Sequence, residues 1–514
     1  MKSNNCVKTA NSKVKDLDEL ALIINSLRSD ASIVLCHGVF DLMHIGHIRH
    51  LEEAKTFGDI LVVTVTPDKY VNKGPHRPAF TEQLRAESIA SLDCVDYVAI
   101  NKWPTAVPTI KLIKPNIYAK GPDYKDPIHD FTGKIIEERS SVEDVNGKIL
   151  FTDDITYSSS NLINKYIPVF SKEVTEYLSG FSKRYSLNEL LDYLRNASSL
   201  KVLVIGEAII DEYQYCEQMA KSNKEPILAT RYVSTEKFAG GIMAVANHTA
   251  NFCNSVTMLT MLGASGSQEE FIRSKMNSNI ESKFIYKPDS PTIVKRRFIE
   301  SYLMQKLFEV YEMNDDELDE EVEEILCRIL EEQIPQHDVV IVVDYGHGML
   351  TRRSIDILCK KSSFLTVNTQ SNAGNRGFNT ISKYPGADYV CLAYQEIALE
   401  ERRRHGDIRE MMVNVGNKLN CERIMVTRGK GGNVFYHQGE GFVEIPAFTD
   451  HVVDRMGAGD AVFALTSLCL AQKAPAEAVG FIGNAVGAQA VGIVGNRSAI
   501  NPVSLYKHIE SLLK

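Results

Sequence analysis

Two short stretches carry residue types at spacings suited to phosphate chemistry. One is Val452-Val453-Asp454-Arg455-Met456-Gly457-Ala458-Gly459-Asp460, followed by the apolar run from Ala461 to Leu470. Small residues ahead of a helix let backbone N–H groups approach an anion. Asp460 then falls in the first helical turn, where its carboxylate can face a substrate hydroxyl. That arrangement suits transfer of a phosphoryl group. The other stretch is Cys36-His37-Gly38-Val39-Phe40-Asp41-Leu42-Met43-His44-Ile45-Gly46-His47. His44 and His47 stand one turn apart at an expected helix start, so two imidazoles and several backbone dipoles can converge on a triphosphate. A metal pair is the competing reading, but no third ligand accompanies them. The preceding Gly38-Val39-Phe40-Asp41 makes the motif specific where two isolated histidines would not be.

The elements that must position these residues follow from hydrophobic patterning. Leu17 to Leu27 reads as an amphipathic helix, Ser32 to Cys36 as a buried strand, Gly46 to Thr56 as a helix and Asp59 to Val65 as the next strand. Strand, helix and strand in that order predict a right-handed βαβ unit in a parallel sheet. Gln83–Leu92 and Ala106–Ile113 read as helices, Tyr97–Ile100 and Ile117–Ala119 as strands, closing a first α/β domain over residues 1–165. Residues 166–199 read as a helical connector, and a second α/β domain over 200–514 opens with the strand Lys201–Gly206, ended by glycine. Ile227–Phe238 and Thr292–Phe298 alternate as strands of a small sheet, a lid and a dimer contact. Asp315–Gln333 is acidic, yet Leu318, Val322, Ile325, Leu326 and Ile329 recur at helical spacing, which predicts a solvated helix rather than a metal site. Val339–Val343 reads as a buried strand with Asp344-Tyr345-Gly346-His347-Gly348 as its functional loop, and strands recur at Phe364–Val367, Tyr389–Leu392 and Arg423–Thr427. Both phosphate stretches are expected at the carboxyl ends of their sheets, where open α/β folds bind ligands.

At 514 residues the chain fits two or three domains. A net charge of -9 argues against nucleic acid as a partner. The chain has no apolar run of membrane-spanning length, and the polar start Met1–Val14 is no secretory signal, so a cytoplasmic enzyme is expected. The 10 cysteines follow neither a zinc nor a disulfide spacing.

The first domain resembles the nucleotidylyltransferase superfamily, especially its cytidylyltransferase-like branch and the transferase half of bifunctional heptose kinase/nucleotidylyltransferases. The resemblance rests on His44-Ile45-Gly46-His47, on Arg77-Pro78 with Arg85, on Lys120-Gly121-Pro122-Asp123-Tyr124, and on Thr156-Tyr157-Ser158-Ser159-Ser160. An arginine and a glycine usual in the last motif are absent. The resemblance implies a Rossmann-like fold and attack of an acceptor phosphate on the α-phosphorus of CTP or ATP, with pyrophosphate leaving. It assigns His44, His47 and Lys120 to catalysis, and Gly38, Phe40, Lys73, Arg85, Ser158, Ser159 and Ser160 to the nucleotide.

The second domain resembles the ribokinase/PfkB carbohydrate kinases and the kinase half of the same heptose enzymes. Gly206-Glu207-Ala208-Ile209-Ile210-Asp211, Phe238-Ala239-Gly240-Gly241 with Asn247, Thr427-Arg428-Gly429-Lys430-Gly431-Gly432 and Gly457-Ala458-Gly459-Asp460 carry it. It implies a ribokinase-like α/β fold with a small β lid, Asp460 as the base, and Asp211, Gly240, Gly241 and Asn247 on the sugar. Thr427, Gly429, Gly432, Gly457, Ala458, Gly459 and Asn484 would hold ATP, and Glu396 would support Mg²⁺. Arg296 or its neighbour Arg297, Asp344 and Asn368 are further substrate candidates, the last opening the asparagine-rich stretch Asn368–Asn379, for which a turn-rich surface segment is the alternative. The chain departs from the family at Asp454-Arg455-Met456 in place of threonines, at His347 in place of lysine, at Asn368-Thr369-Gln370-Ser371 and at Ala393-Tyr394-Gln395-Glu396. The transferase precedes the kinase, opposite to the usual heptose enzyme.

The leading expectation is a homodimeric bifunctional enzyme that phosphorylates a sugar or sugar phosphate with ATP and activates a sugar 1-phosphate as a nucleotide sugar. An active transferase with a non-catalytic PfkB-like module, and a polyol kinase/cytidylyltransferase, are the alternatives.

Overall fold

The computed structural model describes residues 10–71, 77–121, 134–152, 170–222, 224–302, 304–449 and 451–514. The chain forms two compact units, one of residues 1–171 with 506–514, the other of residues 172–505.

In the first unit six parallel strands, β1 (Val14–Lys15), β2 (Ile33–Gly38), β3 (Ile60–Val65), β4 (Tyr97–Ile100), β5 (Ile117–Lys120) and β6 (Lys148–Phe151), lie in the order β1-β4-β3-β2-β5-β6. Alternation along β2 sends Val34 and Cys36 into one apolar cluster with Leu51 and Ile89, and Ile33 and Leu35 into another with Leu20 and Ile110. The sheet is therefore covered on both faces, as a parallel sheet requires. The order reverses between β2 and β5, and that is where such folds open a crevice at the carboxyl ends of their strands.

In the second unit β7 (Lys201–Lys221), β8 (Leu228–Gly241), β9 (Ser255–Ser265), β10 (Ile280–Pro291), β11 (Ile293–Glu300), β12 (Gln305–Glu312), β13 (Val339–Asp344), β14 (Leu365–Thr369), β15 (Tyr389–Ala393), β16 (Arg423–Thr427), β17 (Asn433–His437) and β18 (Gly441–Ile445) form the sheet. The core runs β10-β9-β7-β13-β14-β15-β16-β17-β18, parallel up to β16 and antiparallel beyond it. The outer half of β7 pairs with β8 and β11, and β11 with β12, to make the lid. Gly206 does not end the first strand as expected: the strand continues to Lys221 because its later residues exchange core partners for lid partners. The helix Ala458–Ala471 is buried from Asp460 through Leu470, as its unbroken apolar sequence demands. The acidic helix Glu320–Gln333 buries Val322 and Leu326 as expected, together with Leu330, whereas Ile325 stays exposed.

From Lys172 onward the stretch read as a connector belongs to the second unit. Phe181, fully buried on the helix Lys172–Phe181, stacks on Phe481 with ring centroids 4.2 Å apart, and Arg184 pairs with Glu477 at 2.5 Å. Phe181→Ala is accordingly expected to cost about 3–5 kcal/mol, the usual penalty for emptying a buried aromatic site. Thermal unfolding of the full chain checks it.

Candidate active sites

In the second unit β7, β11, β13, β14 and the helix Ala458–Ala471 bring one cluster together. Asp460, 7% exposed, is the third residue of that helix, and its Oδ1 accepts from the Tyr345 hydroxyl at 3.1 Å and from Gln370 Nε2 at 2.5 Å. Both donors serve the same oxygen. Burial pushes the carboxyl up to about 6, against the pull of Gln370 and Tyr345. Gly457 caps the helix at φ 77 without a side-chain cap, and a Cβ there would sit 1.9 Å from Asn496 Oδ1, so only glycine fits. The first N–H groups of a helix have no partner within it, which is the feature a phosphoryl group needs.

Asp211 on β7 lies opposite Lys295 of β11 and Phe238 of β8. Its carboxylate pairs with Arg297 and faces Asn496 Nδ2 at 3.5 Å. A Cβ on Gly240 would lie 2.1 Å from Asp211 Oδ2, so the glycine at this position is what lets β8 pass the carboxylate. Lys295, 6% exposed, lies against the rings of Tyr311 and Tyr345 at 5.3 and 5.9 Å. Desolvation lowers its pKa, and its charge in turn favours ionised Asp460. Glu207, fully buried where β7 leaves the core, accepts the N–H groups of Tyr345 and His347, both at 3.0 Å, and so fixes the loop that carries the Tyr345 ring.

In the first unit the N-terminus of the helix Ile45–Lys55 follows β2. His44 caps this helix, its Nδ1 accepting from Gly46 N at 3.1 Å, which leaves the proton of the neutral ring on Nε2. The His44 and His47 rings lie 4.0 Å apart, and Phe40, held at φ 49, meets His47 edge-on at 5.5 Å. Lys120 ends β5, the strand next to β2, and pairs with Glu138 at 2.8 Å. His50, one turn past His47, contacts Thr152 Oγ1 at 2.8 Å, and burial together with the Lys120 charge pushes it down to about 4. The strand order thus gathers His44, His47, His50 and Lys120 at the crevice side of the sheet.

The profile of pfkB family carbohydrate kinases matches residues 199–503, more than half of the sequence. The chain belongs to the pfkB family of carbohydrate kinases. A cytidylyltransferase-like profile matches residues 35–165, so the transferase region precedes the pfkB region, the reverse of the order in HldE-type enzymes. Among curated proteins, the bifunctional protein HldE of Pelobacter propionicus is 36% identical over 166 residues, 32% of this chain and 33% of that protein. The bifunctional protein HldE of Geobacter metallireducens is 36% identical over 168 residues, with the same shares. The alignments thus span about a third of each relative's length. Phosphofructokinase-2 from Escherichia coli in complex with potassium shares the pfkB fold at a TM-score of 0.50 and 17% identity, over 60% of this chain and 99% of that one.

Several residues expected in the pfkB site are engaged elsewhere. Asp344, fully buried, accepts from Tyr384 OH at 2.6 Å, Lys383 Nζ at 2.5 Å and Gly346 N at 3.0 Å, and so braces its loop. Asn247 spends its amide on Lys275 O and Asn277 N, and Asn368 donates to Cys391 O at 2.7 Å. Asn372, Asn375 and Asn379 likewise donate to the carbonyls of Tyr345, Asp344 and Gln370, which makes Asn368–Asn379 a brace for the loop of Tyr345. Arg296 points to the face opposite Asp211 and pairs with Glu212, because residues of a strand alternate; Arg297 is the one that reaches the site. Asn484 is held by Asn433, Ile445 O and Pro446 O. Thr427 ends β16, and Gly429 and Gly432 bound the single turn that follows.

The site chemistry for magnesium does not fit Glu396. Its carboxylate accepts from Ala393 N at 2.6 Å and Ser371 N at 3.3 Å, and burial pushes it up to about 7. It caps its own helix. Among the described residues no group of three His, Cys, Asp or Glu side chains could hold a metal.

In the first unit Arg85, 1% exposed, is engaged by the fold. It donates to Phe80 O at 3.0 Å, Val39 O, Thr66 O at 2.8 Å and Asp68 Oδ1 at 2.5 Å. With four donors committed to the fold, Arg85→Leu is expected to cost at least about 3 kcal/mol, since bonds to charged groups carry the most weight. Chemical denaturation checks it; intact stability with weakened nucleotide binding would reverse the assignment. Lys73, Ser158, Ser159 and Ser160 lie outside the described residues.

Sequence reasoning named Tyr345 only as part of a functional loop and missed the roles of Gln370, Lys295 and His50. Lys295 and Arg297 share one face of β11, a signal readable as two cations at strand period, and His50 continues the three-residue spacing of His44 and His47. No sequence signal pointed to the side chain of Gln370.

Proposed function

We propose that the chain is a bifunctional enzyme. At Asp460, ATP phosphorylates a sugar or sugar phosphate; at His44 and His47, a nucleotidyl group from CTP or ATP passes to a sugar 1-phosphate. The observation that carries the kinase reading is that both donors to Asp460 use Oδ1, which leaves Oδ2 for an incoming hydroxyl. The hydroxyl oxygen attacks the γ-phosphorus, its proton goes to Asp460 Oδ2, and ADP leaves. The N–H groups at the start of the helix Ala458–Ala471 take up charge on the transferred group. Asp211, oriented by Arg297, accepts from a second hydroxyl of the acceptor.

At the other site an acceptor phosphate oxygen attacks the α-phosphorus and pyrophosphate leaves, a reaction that needs positioning and neutralisation of charge more than covalent help. His44 with its Nε2 proton and His47 beside it supply donors, and Lys120 adds positive charge at the neighbouring strand end. Magnesium enters this reading only as a counter-ion of the nucleotide phosphates. We place both reactions in the cytoplasm, where the nucleotides are. The lid residues Tyr232, Phe308 and Val310, 61%, 52% and 44% exposed, support a homodimer.

The test is mass spectrometry of products formed from a panel of sugars, polyols and their phosphates with ATP, CTP and Mg²⁺. A nucleotide sugar formed from the unphosphorylated or singly phosphorylated sugar supports the reading. A nucleotide polyol, or nucleotidyl transfer without any kinase product, would replace it.

A further inference from the structure

Asp454, three residues before the glycine that caps the phosphoryl-binding helix, is 9% exposed and gathers four donors from four segments. Its Oδ2 accepts from the Tyr213 hydroxyl of β7 at 2.8 Å and from Gly495 N at 3.0 Å, and its Oδ1 from Met456 N at 3.2 Å. The fourth is Lys306 Nζ, 2.9 Å from Oδ1, reaching in from the edge strand of the lid. These donors hold the carboxyl below its ordinary range despite its burial.

The backbone at Lys306 is shaped for this contact. Phe298 of β11 pairs with Phe308, yet the next residue, Ile299, pairs with Lys306, so Leu307 is an extra residue in β12. Such a bulge bends its strand and re-aims a side chain. Tyr213 is anchored within the sheet at 1% exposure, whereas the Lys306 side chain is 34% exposed and belongs to a strand paired only with β11. On its far side Asp454 fixes Gly495, and the adjoining Asn496 carries the amide that abuts Gly457 and faces Asp211.

We propose that the Lys306–Asp454 pair is a latch: seating of β12 fixes the turn that presents the N–H groups of residues 458–460 and the Asn496 amide beside Asp211. Lys306 and Asp454 are positioning residues in this scheme, which rests on the kinase reading. Lid and phosphoryl site then reach their working geometry together.

The full chain with Lys306→Met, which keeps the length and removes the charge, tests it. The expected result is a fall in kcat of about 10-fold with the KM for ATP within about twofold, the pattern of an interaction that acts in the transition state. Lys306→Arg should restore most of the rate, and nucleotidyl transfer by the same preparation should be unchanged. An unchanged kcat, no rescue by arginine, or a rise in acceptor KM alone would overturn the latch. A second measurement is independent of activity: amide hydrogen exchange of residues 456–460 should accelerate about 10-fold in Lys306→Met, since that segment opens more easily once unpinned. Unchanged exchange there sinks the latch even if no acceptor is found, whereas accelerated exchange in a protein that phosphorylates nothing leaves the latch standing and removes the kinase reading.

Discussion

Asp460→Asn should lower the kinase kcat by about 10²–10⁴-fold, the range general-base catalysis supplies, while leaving nucleotidyl transfer intact. The amide keeps the shape and the Oδ1 contacts to Tyr345 and Gln370, but cannot take the proton of the acceptor. The wild-type rate should climb as pH rises through about 6, because burial holds the carboxyl there and only the ionised form is a base. Tyr345→Phe removes a donor that favours the ionised form, so its acidic limb should move to higher pH. The stability consequence has the opposite sign to the usual carboxylate. A folded pKa raised above the unfolded 3.8 means that the folded chain binds the extra proton, so this group costs stability as pH rises from about 4 to about 6. Asp460→Asn should therefore melt no lower than the wild type at neutral pH. A large drop in melting temperature would show that the carboxylate holds the fold together, and would undo the assignment.

His44→Ala or His47→Ala should cost nucleotidyl transfer about 10²–10³-fold, the scale of losing one preorganised donor to a charged transition state. The kinase should be untouched, since these histidines belong to the other compact unit. His44→Ala carries an additional structural cost, because its ring also caps the helix Ile45–Lys55. That cost is about 0.5–2 kcal/mol for a lost cap. His47→Ala is the cleaner variant, and single-turnover transfer from a supplied sugar 1-phosphate measures it. Equal activity in both variants would dismiss the imidazoles.

What the sequence disclosed about these sites was local. His44-Ile45-Gly46-His47 and Gly457-Ala458-Gly459-Asp460 each lie within a single strand-to-helix connection, so spacing alone foretells how their groups converge. Asp211 with the pair Gly240-Gly241 was legible for the same reason, each being a motif contained in one segment. The partners of Asp460 were not, because Tyr345 and Gln370 lie 115 and 90 residues away and meet it only through the order of strands. Glu396, Asp344 and Asn368 mark the limit of such reading, because in sequence a polar residue at a strand end looks the same whether it meets a ligand or satisfies its own backbone. Arg296 and Arg297 differ by a single step of strand alternation, a register that turns on where β11 begins.

The 21-residue ribbon Lys201–Lys221 serves the base and the cover of the kinase pocket without a joint between them. Any opening has to be spread as torsion along that ribbon, as a leaf spring bends, instead of concentrating at a pivot. A cover sprung in this way returns to one rest position, so the interval between product departure and the next acceptor should follow the stiffness of β7. A softening substitution well away from any bound sugar could then alter turnover.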